Sequence, residues 1–260
     1  MKKSKSFLIC GIALLVISII FTGLIALKID NRSFMPTCIS GETPKENTGC
    51  CYTASCPTCA DVVNTCGETT ISFASLNLPV RDKISSNYIL YKITNYLGYL
   101  PFLVVLCYCI LGFIQLIKNK SFKKVEKGLF VFAGLLVVTF VTYFIFEKLN
   151  LNVRPFKIDG ELEASYPSSH TLLTICISFG IIFLNRVVYS DKKPLRYLNA
   201  CLAFLTAFIV AGRFLSGVHW ATDIIGGLLI ATSYVLIYHG VLLKICHKHD
   251  KIEKTKQGKK

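Results

Sequence analysis

The sequence predicts an all-α membrane protein, a six-transmembrane-helix bundle whose working face is extracytoplasmic. Three observations predict it. Apolar residues make up 53% of the 260, with a mean hydropathy of +0.54, and they fall in blocks of about 20, the length that crosses a bilayer's hydrocarbon core. The 29 Lys and Arg residues outnumber the 15 Asp and Glu, and they flank those blocks. The residues able to do chemistry gather in three segments that the topology puts on one side. This composition excludes a disordered chain, which is poor in apolar residues, and an evenly mixed soluble domain. A net charge of +14 could suit nucleic acid, but its placement beside the spans reads as topology, so no nucleic-acid partner is expected.

The first span, Phe7–Leu27, is unbroken and uncharged. Lys2, Lys3 and Lys5 give it the start of a signal peptide. Its apolar run is too long for an h-region, and Leu24-Ile25-Ala26 is a poor cleavage site, so an uncleaved anchor is expected. The second span is Leu97–Ile117, with Pro101 in its first turn, where proline is tolerated. Just upstream, Ile84–Tyr96 has helical spacing that fits either a helix along the interface or an extension of this span. The third span is Gly128–Phe146. The fourth, Thr171–Leu184, is short enough to draw on flanking residues. The fifth is Ala200–Leu215 and the sixth Ala221–Leu243. In the sixth, Gly227 and Ala231 suit close helix packing, and His239 is expected to be hydrogen-bonded.

Nineteen of the 29 basic residues lie at the two termini and in the loops after the second and fourth spans. The positive-inside rule makes those cytoplasmic. Segments 28–96, 147–170 and 216–220 then face outward. The chain divides into an N-terminus and first span (1–27), a Cys-rich outer loop (28–83), a core (84–243) and a basic tail (244–260) that lies near anionic lipid.

The 12 cysteines split evenly. Cys10, Cys107, Cys109, Cys176, Cys201 and Cys246 sit in or beside spans and read as small apolar filler. Cys38, Cys50, Cys51, Cys56, Cys59 and Cys66 crowd into the outer loop, where disulfides persist. Up to three disulfides are expected, with about 15 possible pairings. A metal knot is the rival reading, because Cys56 and Cys59 have C-x-x-C spacing, but no histidine is near. None of the candidate site residues lies in this loop, so reducing its disulfides is expected to leave the chemical step largely intact.

Three outer segments hold the ionisable groups that sit expensively near membrane depth. The first runs from Lys148 to Arg154-Pro155, just beyond the third span. The second is Tyr166-Pro167-Ser168-Ser169-His170, at the start of the fourth. There Pro167 suits a helix start, and the amides and hydroxyls of Ser168 and Ser169 would form an anion site, with His170 beside it. The third runs from Gly212-Arg213 to His219 and Asp223. His219 and Asp223 are four apart, so they would share a helix face, the carboxylate fixing the imidazole's tautomer. Ser216 and Gly217 permit a break that lets Arg213 and His219 point into one cavity. Arg154 and Arg213 offer forked donors for phosphate oxygens, and Lys148 a point charge. Alone, each segment has a bland explanation: a helix-surface pair, a helix start, a snorkelling arginine. Together, in order and on one side, they point to a single phosphate-handling site. Asp159, Glu161 and Glu163, between the first two segments, read as a solvated loop.

These residues resemble the type 2 phosphatidic acid phosphatase superfamily, whose pattern is K-x6-R-P, then P-S-G-H, then S-R-x5-H-x3-D. Arg154-Pro155, Pro167-Ser168-Ser169-His170, and Arg213, His219 and Asp223 match it in order. The resemblance covers roughly the last two-thirds of the chain. Three positions depart from it. Glu147 stands where strict spacing puts the lysine, with Lys148 one residue on. Ser169 replaces a glycine and Gly212 a serine. The resemblance implies that His219 attacks phosphorus to form a phosphohistidine, oriented by Asp223, and that His170 protonates the leaving oxygen. Lys148, Arg154, Ser168, Ser169 and Arg213 would hold the phosphate, with no metal and no cofactor. It also implies a phosphorylated lipid substrate: undecaprenyl diphosphate, phosphatidylglycerol phosphate or phosphatidate. Two alternatives stay open: a non-catalytic membrane protein whose Cys-rich loop binds a partner or senses redox state, and a phosphatase for soluble esters.

Overall fold

A computed structural model describes residues 2–34, 37–38, 69–84, 86–157, 162–189 and 192–257. In chain order the elements are α1 (Lys2–Ala26), β1 (Arg32–Phe34), β2 (Thr37–Cys38), β3 (Thr69–Ile71), α2 (Ala74–Lys83), α3 (Tyr88–Leu97), α4 (Leu100–Asn119), α5 (Lys127–Leu149), β4 (Phe156–Lys157), α6 (Ser169–Val187), α7 (Lys193–Leu215) and α8 (Ala221–Gln257). Six stretches are long and apolar enough to cross a membrane: α1, α3 with α4, α5, α6, α7 and the first 26 residues of α8. The protein is a multi-pass membrane protein. Cys50, Cys51, Cys56, Cys59, Cys66, Asp159 and Glu161 lie outside the described residues, and the expected disulfides with them.

Every expected span is present, with shifted ends. The short fourth span does draw on its flanks, becoming the 19-residue α6. That is about 28 Å of helix, close to the ~30 Å hydrocarbon core. It is the innermost helix, packed against α5, α7 and α8. Its Ile177, Ile181 and Leu184 meet Phe132 and Leu135 of α5, Leu202 of α7 and Tyr238 and Leu242 of α8 in the central core. Residues from Tyr88 extend the second span. Only Gly98 and Tyr99 interrupt the helix, both near right-handed helical angles, because Pro101 removes one backbone donor and crowds the preceding turn. The sixth span ends at Cys246, close to the expected Leu243. Its helix continues into the basic tail as far as Gln257.

α1 lies along α8. Glycines allow the contact: a Cβ on Gly11 would come within 2.9 Å of the Ile237 backbone nitrogen, and one on Gly240 within 2.7 Å of Leu8. The Ser4 hydroxyl donates to the Gly240 carbonyl at 2.7 Å. His239, expected to be hydrogen-bonded, makes ring contacts. Its ring stacks on Phe183 and meets Phe7 edge-on, and its Nδ1 has no partner among the described residues. Of the span cysteines, Cys176 is buried as filler, whereas Cys10, Cys107, Cys109 and Cys201 lie on the outer surface of the bundle.

The stem of segment 28–83 is built into the bundle. β1 pairs antiparallel with β3, and β2 pairs parallel with β4, directly after Arg154-Pro155. Phe34, Ile71 and Ala74 bury against Trp220, and Phe34 meets that indole edge-on at 5.0 Å.

Candidate active site

One end of the bundle gathers the C-termini of α5 and α7 and the N-termini of α6 and α8, and the three expected segments converge there. Helix N-termini carry partial positive charge and unsatisfied amides, so this end favours an anion. Two glycines of α8 set the closeness of the fit. A Cβ on Gly226 would lie 2.4 Å from the Tyr166 ring, and one on Gly227 3.0 Å from Thr171 Cβ and 3.2 Å from the Ser168 carbonyl. Tyr166 is buried, which pushes its hydroxyl up to about 12, and it shares a hydrogen bond with Thr22 of α1 at 2.9 Å.

Arg154 sits on an extended segment whose Val153 bridges Ala164 in antiparallel fashion. Its backbone N–H donates to the Glu163 carbonyl at 3.0 Å. Its Nη2 contacts Glu163 Oε2 at 2.9 Å, so Glu163 is not merely part of a solvated loop. The Arg154 Nε and Nη1 are buried with no partner among the described residues. Arg213, in the last turn of α7, is fully buried. Its guanidinium lies 4.9 Å over the Tyr91 ring, and its Nε and Nη1 likewise lack partners among the described residues.

The expected break follows Arg213. α7 ends at Leu215, and Gly217 takes φ +73°, a left-handed conformation that glycine adopts without strain. The chain then turns so that His219 Nε2 comes 3.4 Å from Arg213 Nη2. His219 Nδ1 lies 3.5 Å from Asp223 Oδ2. The two are not partners on one helix face, because α8 begins only at Ala221. His219 precedes the helix, and Asp223 caps it, with Oδ2 accepting the Trp220 N–H at 2.9 Å. This is half of a capping box, with the carboxylate at the third helical position. Burial, together with Arg154, Arg213 and His170, holds His219 well below the ordinary imidazole value. Its ring is therefore neutral and keeps a lone pair.

At α6, Ser168 is the residue before the first helical turn and Ser169 opens it, so Pro167 stands just outside. The Ser168 amide does not face an anion. It donates to the Asp223 carbonyl at 3.1 Å, which ties the second segment to the third. The Ser168 hydroxyl is buried and accepts from Thr171 at 3.1 Å. Ser169 lines the cavity instead. His170 packs against Gly98, whose added Cβ would come within 2.8 Å of the ring. Its Nδ1 is buried with no partner among the described residues.

Beside Arg154, Ser169 and His219 lies a cavity of about 20 Å³, walled also by Glu147, Ser165 and the apolar Phe146 and Leu172; Arg213 and His170 stand behind its wall and do not line it. At the end of α5 the cavity wall is Glu147. Lys148 is exposed and does not line it. Gly212, where the resembled pattern has serine, faces α3: a Cβ there would lie 2.4 Å from Thr94 Cγ2. Sequence reasoning read Glu163 as solvated and missed Thr94, Asn77 and Trp220. Only Trp220 carried a signal, as the single tryptophan of the chain, next to His219.

Over 102 residues the chain is 36% identical to "Lipid phosphate phosphatase delta" of Arabidopsis thaliana, a match covering 38% of this chain and 24% of that protein. The chain therefore spans about a quarter of that relative's length. A solved structure, the transmembrane PAP2 type phosphatidylglycerolphosphate phosphatase from Bacillus subtilis, aligns with a TM-score of 0.40 at 18% identity, over 64% of this chain and 78% of that one. The family model of the PAP2 superfamily matches residues 7–245, nearly the whole bundle and all three site segments, and the chain belongs to that superfamily.

Proposed function

We propose that this protein is an integral membrane phosphatase that hydrolyses a phosphomonoester or diphosphate of a lipid through a phosphohistidine, with its site at the extracytoplasmic face. One observation carries the reading. Two buried guanidiniums, with four N–H-bearing nitrogens lacking partners among the described residues, flank a neutral histidine whose Nδ1 lies 3.5 Å from a buried carboxylate oxygen. Buried donors left unsatisfied are costly unless a ligand completes them, and forked guanidiniums match phosphate oxygens.

In this reading His219 carries its proton on Nδ1, toward Asp223. Its Nε2 attacks phosphorus, the N–P bond forms, and the bond to the leaving oxygen breaks. His170, entering as the imidazolium beside the bound phosphate, gives that oxygen a proton and becomes neutral. Its Nδ1 is the ring atom without a partner. Water then attacks the phosphohistidine, gives a proton to His170, and releases inorganic phosphate and free His219. Arg154, Arg213 and the Ser169 end of α6 hold the equatorial oxygens as charge redistributes. The arginines supply the neutralising charge, so no metal is invoked.

A lipid is favoured over a soluble ester because the cavity adjoins hydrocarbon. Its Phe146 wall also borders a groove of about 130 Å³ between α1, α5 and α8, lined by Leu15, Ile19, Thr22, Ile230 and Tyr234. The polar groups there are engaged with protein: Ser18 with Leu15, Thr22 with Tyr166, and Tyr234 with Thr142. That leaves methylene surface for an acyl or prenyl chain.

The test is phosphate release by purified protein in detergent with EDTA, from undecaprenyl diphosphate, phosphatidylglycerol phosphate, phosphatidate and a soluble aryl phosphate. Release from a lipid that vanishes in His219→Ala, with an acid-labile phosphoryl-protein trapped in the wild type, is the expected result. Full activity in His219→Ala would overturn the mechanism. Preference for the aryl phosphate would overturn the substrate class.

A further inference from the structure

We propose that the stem of segment 28–83 is a positioning strap for the catalytic turn, and that Asn77 is its working residue. The inference rests on the proposed phosphatase reading for its kinetic consequence, although the contact itself does not.

Asn77 lies in α2 and is buried to 1% exposure. Its side chain makes three hydrogen bonds. Nδ2 donates to the Ser72 carbonyl at 2.9 Å and to Thr222 Oγ1 at 2.9 Å. Oδ1 accepts the Thr222 backbone N–H at 3.2 Å. Both amide hydrogens and one lone pair are used, which fixes the amide in one orientation. Thr222 is also fully buried, so no water can replace these bonds.

The place of this contact matters more than its strength. Thr222 is the second residue of α8, where a helix leaves its amides without intrahelical acceptors. Its own N–H is satisfied from 145 residues away in sequence. The next residue is Asp223, whose Oδ2 lies 3.5 Å from His219 Nδ1. Between His219 and Thr222, the Trp220 indole N–H donates to the Val153 carbonyl at 2.7 Å, and the Trp220 ring is held edge-on by Phe34. The guanidinium of Arg81, from the same α2, lies 5.8 Å over Phe34 and 5.3 Å over Phe156. The strap thus grips Trp220 and Thr222, just after the nucleophile, and reaches the segment that follows Arg154. The phosphate-holding arginines lie outside its hydrogen bonds. Loosening it should misplace His219 and Asp223 while leaving phosphate binding in place.

The test uses full-length protein in detergent, with Asn77→Ala, Thr222→Val, their double variant, and Thr222→Ser as the conservative partner. Asn77→Ala is expected to lower kcat about ten- to a hundredfold per folded molecule, with KM and inhibition by inorganic phosphate changed less than about twofold. The double variant should be no worse than Asn77→Ala alone, since both remove one interaction, and Thr222→Ser should retain activity. Hydrogen exchange across residues 220–224 should quicken in Asn77→Ala. A purely structural cap would instead lower the folded yield and leave the remaining molecules turning over at the wild-type rate, and that result overturns the proposal. So does a fully additive double variant, or unchanged exchange at 220–224. If Asn77→Ala does not fold, Thr222→Val decides by the same readouts. If the wild type releases phosphate from no lipid, the phosphatase reading fails, while the exchange measurement still decides whether Asn77 holds the turn.

Discussion

Glu163→Gln is expected to tighten the binding of inorganic phosphate. In the structure Glu163 Oε2 sits 2.9 Å from Arg154 Nη2, with side-chain exposures of 47% and 10%. A carboxylate therefore occupies a donor that a substrate phosphoryl group would use. The substitution keeps the side chain's shape and the backbone carbonyl that accepts the Arg154 N–H, and removes only the charge. Exposed ion pairs are worth about 0.2–1 kcal/mol, and charge-assisted bonds to a buried partner somewhat more. With Arg154 buried and Glu163 half exposed, about 1 kcal/mol of competition is a fair figure, or roughly a fivefold change in affinity. The assay is competitive inhibition of lipid hydrolysis by inorganic phosphate, at low and high salt. The inhibition constant should fall about fivefold in Glu163→Gln, and the gap should narrow as salt screens the half-exposed pair. An unchanged or weaker inhibition constant would refute the reasoning. It would mean that Glu163 holds Arg154 in its working position rather than competing for it.

Three further outcomes are expected. Arg154→Met should cost about 10²–10³ in kcat/KM, the scale of losing one transition-state donor, whereas Lys148→Met should cost less than about threefold because Lys148 does not line the cavity; equal losses would restore Lys148 to the site. Gly212→Ser, which brings back the hydroxyl of the resembled pattern, should destabilise by about 1–3 kcal/mol through the 2.4 Å approach to Thr94. That corresponds to a fall in Tm of roughly 2–10 °C, with Thr94→Ala recovering it; an unchanged Tm in Gly212→Ser alone would count against the packing. Because His219 is held below the ordinary value of 6.5, the unfolded chain binds a proton that the folded one refuses. Stability should therefore fall as pH drops below 6.5, down to the folded value, by at most about 1.4 kcal/mol per pH unit. Thermal unfolding of wild type and His219→Asn across that window should show a shallower slope in the variant.

The six spans were legible because their signal is local: about 20 apolar residues in a row report a span whatever surrounds them. The three site segments were legible because each carries reactive residue types at short, fixed spacing, and lysine placement put them on one side. The misreadings concern tertiary partners. The Ser168 amide looked free for an anion, but it is consumed by a carbonyl 55 residues on. Whether Glu147 or Lys148 faces the cavity depends on the rotation of α5, since adjacent residues point about 100° apart on a helix. Glu163 reads as solvated until the strand carrying Arg154 is folded beside it. Nothing in the sequence around Asn77 marks it, because its partner is 145 residues away.

The seam between α1 and α8 has a consequence for biogenesis. Ser4 bonds to Gly240 across 236 residues, and Thr22 reaches Tyr166 across 144. α1 therefore finds its neighbour only when α8, made long after it, has been inserted. Contacts so distant in sequence form slowly and late. Until they do, Tyr166 lacks its partner, and the α8 turn carrying His219 and Asp223 does not yet exist. A chain halted anywhere before the sixth span is a set of inserted helices without a working centre. Assembly of the bundle and the onset of activity are one event.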